Sequence, residues 1–471
     1  MKFKLTLIAL SVLTLAGCAT VAPDGQRSEV AQLTKGKTGN VDVSLSTPSE
    51  ESAKVVAELL AKPITGDSAV RIALLNNPGL QTAFAQLAIS DADRAQAGRL
   101  PNPHFSIGAF REGQIRAIER TLGFDILGLL TLPWRSAWQG QQTELAKLKA
   151  AQEVVLLAAN TRKAWINAVA SQQTAAYMRD VKEGAEAGGE LARRMARVGN
   201  WSRLRQAQEQ VGLADATAQL ARAELAAKVN RERLIRLMGL WGAQTNFTLD
   251  GRLPDLPKTA REIGDVEAQA ISQRLDVRSA VDESRYVAGS LGYTKAKGYL
   301  NALNIAYERN TSFNNANGDK DTERGFELEL ELPIFDWGSA RNAKAEAIYM
   351  QSVAKVSETA GRARSEAREA YFGYRTAYDL AVAYRDEVVP LRQFINEETV
   401  LRYNGMFASL WDLLGTTKQS VLAVNSAIEA QRDFWVADTD LQTALTATSP
   451  GSLQALQGGA SNDNSGEAKG H

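Results

Sequence analysis

The chain has 471 residues, which is long for one ordinary core, and its 54 Lys and Arg balance 54 Asp and Glu. That balance argues against a nucleic-acid partner, which would call for a basic face. One cysteine excludes an internal disulfide framework and a cysteine-cluster metal site. Two histidines, His104 and His471, cannot build a histidine-rich zinc site and leave little room for a histidine-based triad, so no catalytic residue, metal site or cofactor is expected. A mean hydropathy of -0.25 reads as a soluble bulk composition.

Lys2 and Lys4 precede an apolar run, Leu5 to Leu15, that is too short to span a bilayer and has the shape of a secretory signal. It ends in Leu15-Ala16-Gly17-Cys18, which resembles the bacterial lipobox, in which the cysteine becomes the lipidated first residue. The agreement of basic region, apolar run and small residues favours this over a free buried cysteine. Residue 19 is Ala and not Asp, the mark of inner-membrane retention in such lipoproteins, and the expected address is the outer membrane. Residues 1–17 are expected to be the lipoprotein signal peptide and 18–66 a polar, lipidated N-terminal segment, with Ser49 to Lys62 as one short helix.

Asp67 to Arg99 reads as a helix broken near Asn77-Pro78-Gly79. Two β-like stretches follow within about 103–132, at Pro103–Phe110 and Thr121–Leu132. Ser136 to Val198 has no proline and a helical spacing of apolar residues; a helix of that length is about 95 Å long. Ser202 to Leu240 continues as another. Residues 242–264, with Pro254, Pro257 and several glycines, read as a linker.

The plan then repeats. Ala73, Leu80 and Ala83 line up with Ala270, Val277 and Ala280 at a shift of 197; Leu132-Pro133 with Leu332-Pro333 at 200; Gly199 with Gly405 at 206. The chain is expected to hold two copies of one structural half, 67–241 and 265–447, with a disordered tail over 448–471.

The second copy places strands within about 301–332, at Asn301–Glu308 and Thr322–Leu332, joined by a polar connection over 309–323; its counterpart in the first copy is Arg111 to Arg120. Phe326, Leu328, Leu330 and Leu332 alternate with Glu327, Glu329 and Glu331, which puts the carboxylates on one face. Each segment has about the 9–11 residues of a tilted transmembrane strand, and Trp134, Phe335 and Trp337 fit an interfacial girdle. A small sheet capping a soluble helical protein fits the strands alone equally well. The outer-membrane address favours lipid, which admits only helices or closed barrels, and the mature chain holds no 18-residue apolar helix. Four strands cannot close a barrel, so several chains must contribute.

The stretch ALLNNPGLQTAFAQLAISDADRAQAGRLPN at 73–102, the strand exit LPIFDWGSARNAKAEA at 332–347, and Leu401-Arg402-Tyr403-Asn404-Gly405 followed by Ser409-Leu410 resemble the TolC-type outer-membrane efflux proteins over about residues 67–447. The resemblance implies a mainly α fold with a small β part. Duplicated long helical hairpins would form a periplasmic α-barrel, and four transmembrane strands per chain would enter a trimeric twelve-stranded β-barrel. It implies a homotrimer in outer-membrane lipid that works without catalysis, receiving small-molecule or metal-ion cargo from an inner-membrane pump through a periplasmic adaptor. Pro-Asn-Pro at 101–103 and the acidic strand weakly resemble heavy-metal members.

In that frame Glu327, Glu329 and Glu331 face the lumen, either as selective carboxylates or as merely polar pore wall. Gly199-Asn200 and Asn404-Gly405 are expected to be left-handed turns at the periplasmic tips, which in the family meet the adaptor and form the gate. Some members carry carboxylates six and nine residues after the second glycine; here those positions are Trp411 and Leu414, with Asp412 beside the first. Trp411 reads as a packing residue in preference to an apolar plug, and Arg203, Arg205 and Arg402 as partners for acids on neighbouring helices. The competing reading is a structural outer-membrane lipoprotein, a helical-hairpin scaffold that binds periplasmic partners. The sequence has no GxSxG nucleophile motif.

Overall fold

The computed structural model describes residues 20–39, 41, 49–297, 303–330 and 337–450. Short helices α1 (Arg27–Thr34), α2 (Glu50–Leu60), α3 (Gly66–Asn76) and α4 (Pro78–Ala97) lead into strands β1 (His104–Glu112) and β2 (Ile115–Asp125). Long helices α5 (Ile126–Arg197) and α6 (Arg203–Met238) complete the first half. The second half runs α7 (Val266–Gln273), α8 (Leu275–Lys297), β3 (Leu303–Asn314), β4 (Lys320–Leu330), α9 (Ser339–Ala383), α10 (Val389–Asn404) and α11 (Leu410–Thr446). Among the described residues no helix is long and apolar enough to cross a membrane. The chain divides into two compact units, one of Met1–Glu29, Ala83–Ala150 and Arg278–Thr359, the other of Val30–Thr82, Ala151–Val277 and Ala360–His471. Each unit draws on both sequence halves.

The first unit holds one antiparallel sheet in the order β1-β2-β3-β4. Its strands run further towards the turns than the apolar alternation predicted: β1 and β2 are separated by Gly113-Gln114 alone, with Gly113 at φ 58 as so tight a hairpin requires. The expected polar connection 111–120 is therefore mostly strand. At the other end β2 stops at Asp125, and residues 126–132, expected to be strand, are the first turns of α5. Ile-Leu-Gly-Leu-Leu-Thr-Leu carries no alternation and is rich in leucine, a good helix former. The Asp125 carboxylate accepts the Gly128 N–H at 2.7 Å and so satisfies a free donor of the helix start.

Elsewhere in this unit Trp138 stacks on Tyr286 with centroids 5.4 Å apart. Buried Asp91 on α4 receives the Ala22 N–H at 2.7 Å, Gln26 Nε2 at 3.0 Å and Arg94 Nε at 2.9 Å. Burial pushes the Asp91 carboxyl up, but these bonds outweigh it and hold it below the usual carboxylate range.

The second unit carries the larger core. Trp165, Ile166 and Val169 of α5 pack with Ile72, Leu234, Met238 and Ile428, and Trp165 Nε1 donates to the Ile64 carbonyl at 2.7 Å. The expected linker is built into this core: Phe247, Leu249 and Leu253 are buried, and Leu249 bridges Ile64. A second cluster gathers Leu256, Tyr374, Phe434, Leu441 and Leu445.

The two halves break their entry helices at equivalent places, Asn77 (φ -69, ψ 120) and Arg274 (φ -67, ψ 131), the 197-residue shift of the repeat. At the first break Asn76 and Asn77 donate to the Gly239 and Leu237 carbonyls at 2.7 and 2.8 Å, capping the end of α6. Gly239, at φ 67, allows this approach, since a Cβ there would lie 2.6 Å from the Asn76 oxygen. At the second break, buried Arg274 meets Asp276 at 2.7 Å and Glu366 at 2.9 Å. Ser449 donates to Glu366 at 2.7 Å. Ser449, expected within the disordered tail, is thus a buried partner of that carboxylate, while residues 451–471 lie outside the described residues. The helix expected over 339–403 contains a π turn at Tyr384–Val388, just before Pro390, where the ring removes a donor and displaces a carbonyl.

Replacing Glu366 by Ala leaves the buried Arg274 guanidinium with Asp276 as its remaining carboxylate partner and Ser449 without its acceptor, and is expected to cost about 1–3 kcal/mol in a denaturant titration. Because the Asp91 carboxyl is held low, its contribution is full above the unfolded value of about 3.9 and is lost as pH falls through its lowered value. Hydrogen exchange at the Ala22 amide should accelerate over that acid range in the wild type, and Asp91→Asn should abolish the dependence.

Candidate functional site

The pairing register sorts the sheet's side chains into two faces. Glu327 lies opposite Ala306 and Glu329 opposite Asn304, whose Nδ2 donates to Glu329 Oε2 at 2.9 Å. Glu331 lies outside the described residues. The same face carries four carboxylates that the sequence reading missed, Glu119, Asp125, Glu308 and Glu323, with Glu112 and Asp321 nearer the turns. That face carries no lysine or arginine among the described strand residues, and the His104 ring on it covers Gly123.

The opposite face reverses this chemistry. Phe105, Leu122, Tyr307 and Phe326 form one cross-strand row, with Phe124, Ile305 and Leu328 in the next row towards the helices. Phe326 is 80% exposed and Leu328 66% exposed. Towards the turns the face carries Arg111, Arg116, Arg120, Arg309, Lys320 and Arg324, and no acid in the described strands. A signal for this was present: Glu119 and Arg120, Glu308 and Arg309, and Glu323 and Arg324 alternate in charge, which is a period-two pattern written without apolar residues.

The hairpin tips belong to the second unit. Between α5 and α6, Gly199 has φ 78, and the Asn200 and Trp201 N–H groups both donate to the Met195 carbonyl. Ser202 caps α6. The second tip departs from expectation. Gly405 has φ -81, so it is not left-handed; Met406 takes that conformation at φ 61. The turn is displaced by one residue beyond Asn404-Gly405, and Phe407 N–H closes it on the Arg402 carbonyl at 2.8 Å. Met406 and Phe407 are left 94% and 88% exposed.

Asp412 forms a capping box with Ser409, accepting its N–H at 2.9 Å and hydroxyl at 2.7 Å, and these bonds hold its carboxyl below the usual range. Trp411 meets Trp201 edge to face at 6.4 Å, joining the two tips through an aromatic contact. It also lines a cleft of about 720 Å³ with Tyr177, Glu209, Leu213, Leu414 and Lys418. Burial pushes the Glu209 carboxyl up, against the pull of Lys418. Among the described residues no intrachain ion pair engages Arg203, Arg205 or Arg402; all three sit on exposed turns of the tips. No group of three metal-ligating side chains occurs among the described residues. Cys18 lies outside them.

No family model and no curated protein matches the sequence. Solved structures do. The chain superposes on CusC with a TM-score of 0.67 at 16% identity, covering 81% of this chain and 92% of that one. The outer-membrane channel OprN gives 0.67 at 16%, covering 87% and 95%. The Neisseria gonorrhoeae MtrE outer-membrane channel gives 0.65 at 18%, covering 80% and 88%. The chain has the fold of these outer-membrane channels, mainly helical with a small sheet, as its resemblance to TolC-type proteins implied.

Proposed function

We propose that the chain is the outer-membrane channel of a tripartite efflux system. It would be anchored by lipid at Cys18 and assembled as a homotrimer, and would conduct small-molecule or metal-ion cargo passively from an inner-membrane pump and a periplasmic adaptor. The observation that carries this reading is the sheet: four strands of nine to twelve residues with one acidic face and an opposite face that is apolar on its helix side and basic towards the turns, on a fold shared with outer-membrane channels. An apolar outer wall and a polar inner wall are what a barrel in lipid requires. The carboxylates led by Glu327 and Glu329 then line the lumen and attract cations. The tips at Gly199-Asn200 and Asn404-Gly405, with exposed Met406 and Phe407, supply apolar surface for the adaptor, and Trp411 braces them.

Cys18→Ser protein should resist carbonate extraction and keep heat-modifiable gel mobility, because the strands hold it without the acyl chains. Complete release into the soluble fraction would sink the channel reading and leave the lipoprotein scaffold. In planar bilayers the wild type should show a cation preference by reversal potential, and Glu327→Gln with Glu329→Gln should reduce it towards unity.

A further inference from the structure

The basic half of the outer sheet face is the feature that channel function leaves unexplained. Arg120, Arg309 and Arg324 are direct cross-strand partners, Arg120 opposite Arg309 and Arg309 opposite Arg324. Directly paired positions place Cα atoms about 4.5–5.5 Å apart, so three guanidinium groups are held side by side. Like charges in that arrangement repel, and no acid shares the face in the described strands. Arg120 reaches only the Thr311 hydroxyl, at 3.4 Å. Four residues nearer the turns, about 13 Å along the strands, Arg111 and Arg116 pair beside Phe313 and Lys320. The Lys320 ammonium lies 5.4 Å from the Phe313 ring. On the helix side of the arginine row the face turns wholly apolar, with Tyr307 and Phe326 adjoining it.

Cations above an apolar wall match one kind of occupant, an amphiphile with acyl chains below and phosphates above. We propose that this face binds the phosphorylated glycolipid of the outer leaflet. Its phosphates would bridge Arg120, Arg309 and Arg324, and its acyl chains would lie along Phe326, Leu328 and Ile305. Guanidinium groups suit the task because each can grip phosphate oxygens through two parallel N–H donors. The bound anion would also relieve the repulsion within the row. This inference rests on the reading of the sheet as an outer-membrane barrel wall.

The test uses the full-length protein purified in detergent, titrated with bisphosphorylated lipid A, with lipid A stripped of its phosphates, and with inorganic phosphate. The wild type should bind the first and be stabilised by it against thermal dissociation, with little response to the other two. The combined variant Arg120→Gln, Arg309→Gln, Arg324→Gln should bind it at least about tenfold more weakly. If that variant does not assemble, Arg309→Gln alone should show a loss of about tenfold, since Arg309 neighbours both other arginines. Equal binding of dephosphorylated lipid A, an equal effect of free phosphate, or undiminished binding by the variants would overturn the proposal. Protein that resists carbonate extraction yet ignores lipid A overturns this inference alone, whereas protein released by carbonate overturns the channel reading beneath it.

Discussion

The outer edges of β1 and β4 govern everything else about the sheet. Each presents a row of backbone N–H and C=O groups with no strand beside it among the described residues. In water such edges are tolerable; in hydrocarbon every unpaired group costs several kcal/mol. On the channel reading proposed above, the four-stranded sheet would be completed in lipid by strands from other copies, β4 of one pairing with β1 of the next. The separation of charge between its faces fits that closed form, in which one face would meet lipid and headgroups and the other water.

The helical part obeys a different economy. Its cores are made of small and medium side chains, Ala168, Ala170, Ala367 and Ala370 among them, with aromatic residues at the points where the linker and entry helices arrive. Alanine lets helices approach closely over long distances, while the larger Trp165 and Tyr374 are buried where the entry segment at Ile64 and the linker 242–264 arrive, Trp165 bonding the Ile64 carbonyl and Tyr374 the Arg261 N–H. The buried Arg274–Glu366–Ser449 group fastens the end of α11 to the second entry helix, where the first half uses the amides of Asn76 and Asn77. The two halves thus keep one backbone plan and satisfy it with different chemistry.

The architecture was legible in the sequence because its signals were periodic and long. The duplication, the helices and the strict alternation of Phe326 to Leu330 all emerged. The failures were local and have physical causes. Residues 126–132 lack any periodicity, so only their leucine content and the cap from Asp125 mark them as helix. The strand ends near the turns were read as loops because their alternation is one of charge sign, visible only once pairing aligns Arg120, Arg309 and Arg324 across strands. The left-handed residue of the second tip was assigned to Gly405 because glycine is the usual occupant, yet the closing bond from Phe407 to Arg402 places it at Met406. Ser449 looked like part of a polar tail, and only the unfilled oxygens of Glu366 explain its burial.

Asp91 bears on how a lipid anchor at Cys18 would hold the protein. Its grip on Ala22 lies four residues beyond Cys18, and a fully extended chain of that length spans no more than about 14 Å. If the acyl chains are carried at Cys18, they are not a loose tether that lets the protein drift beneath the bilayer. They would hold α4, at Asp91, within about that short span of the lipid surface.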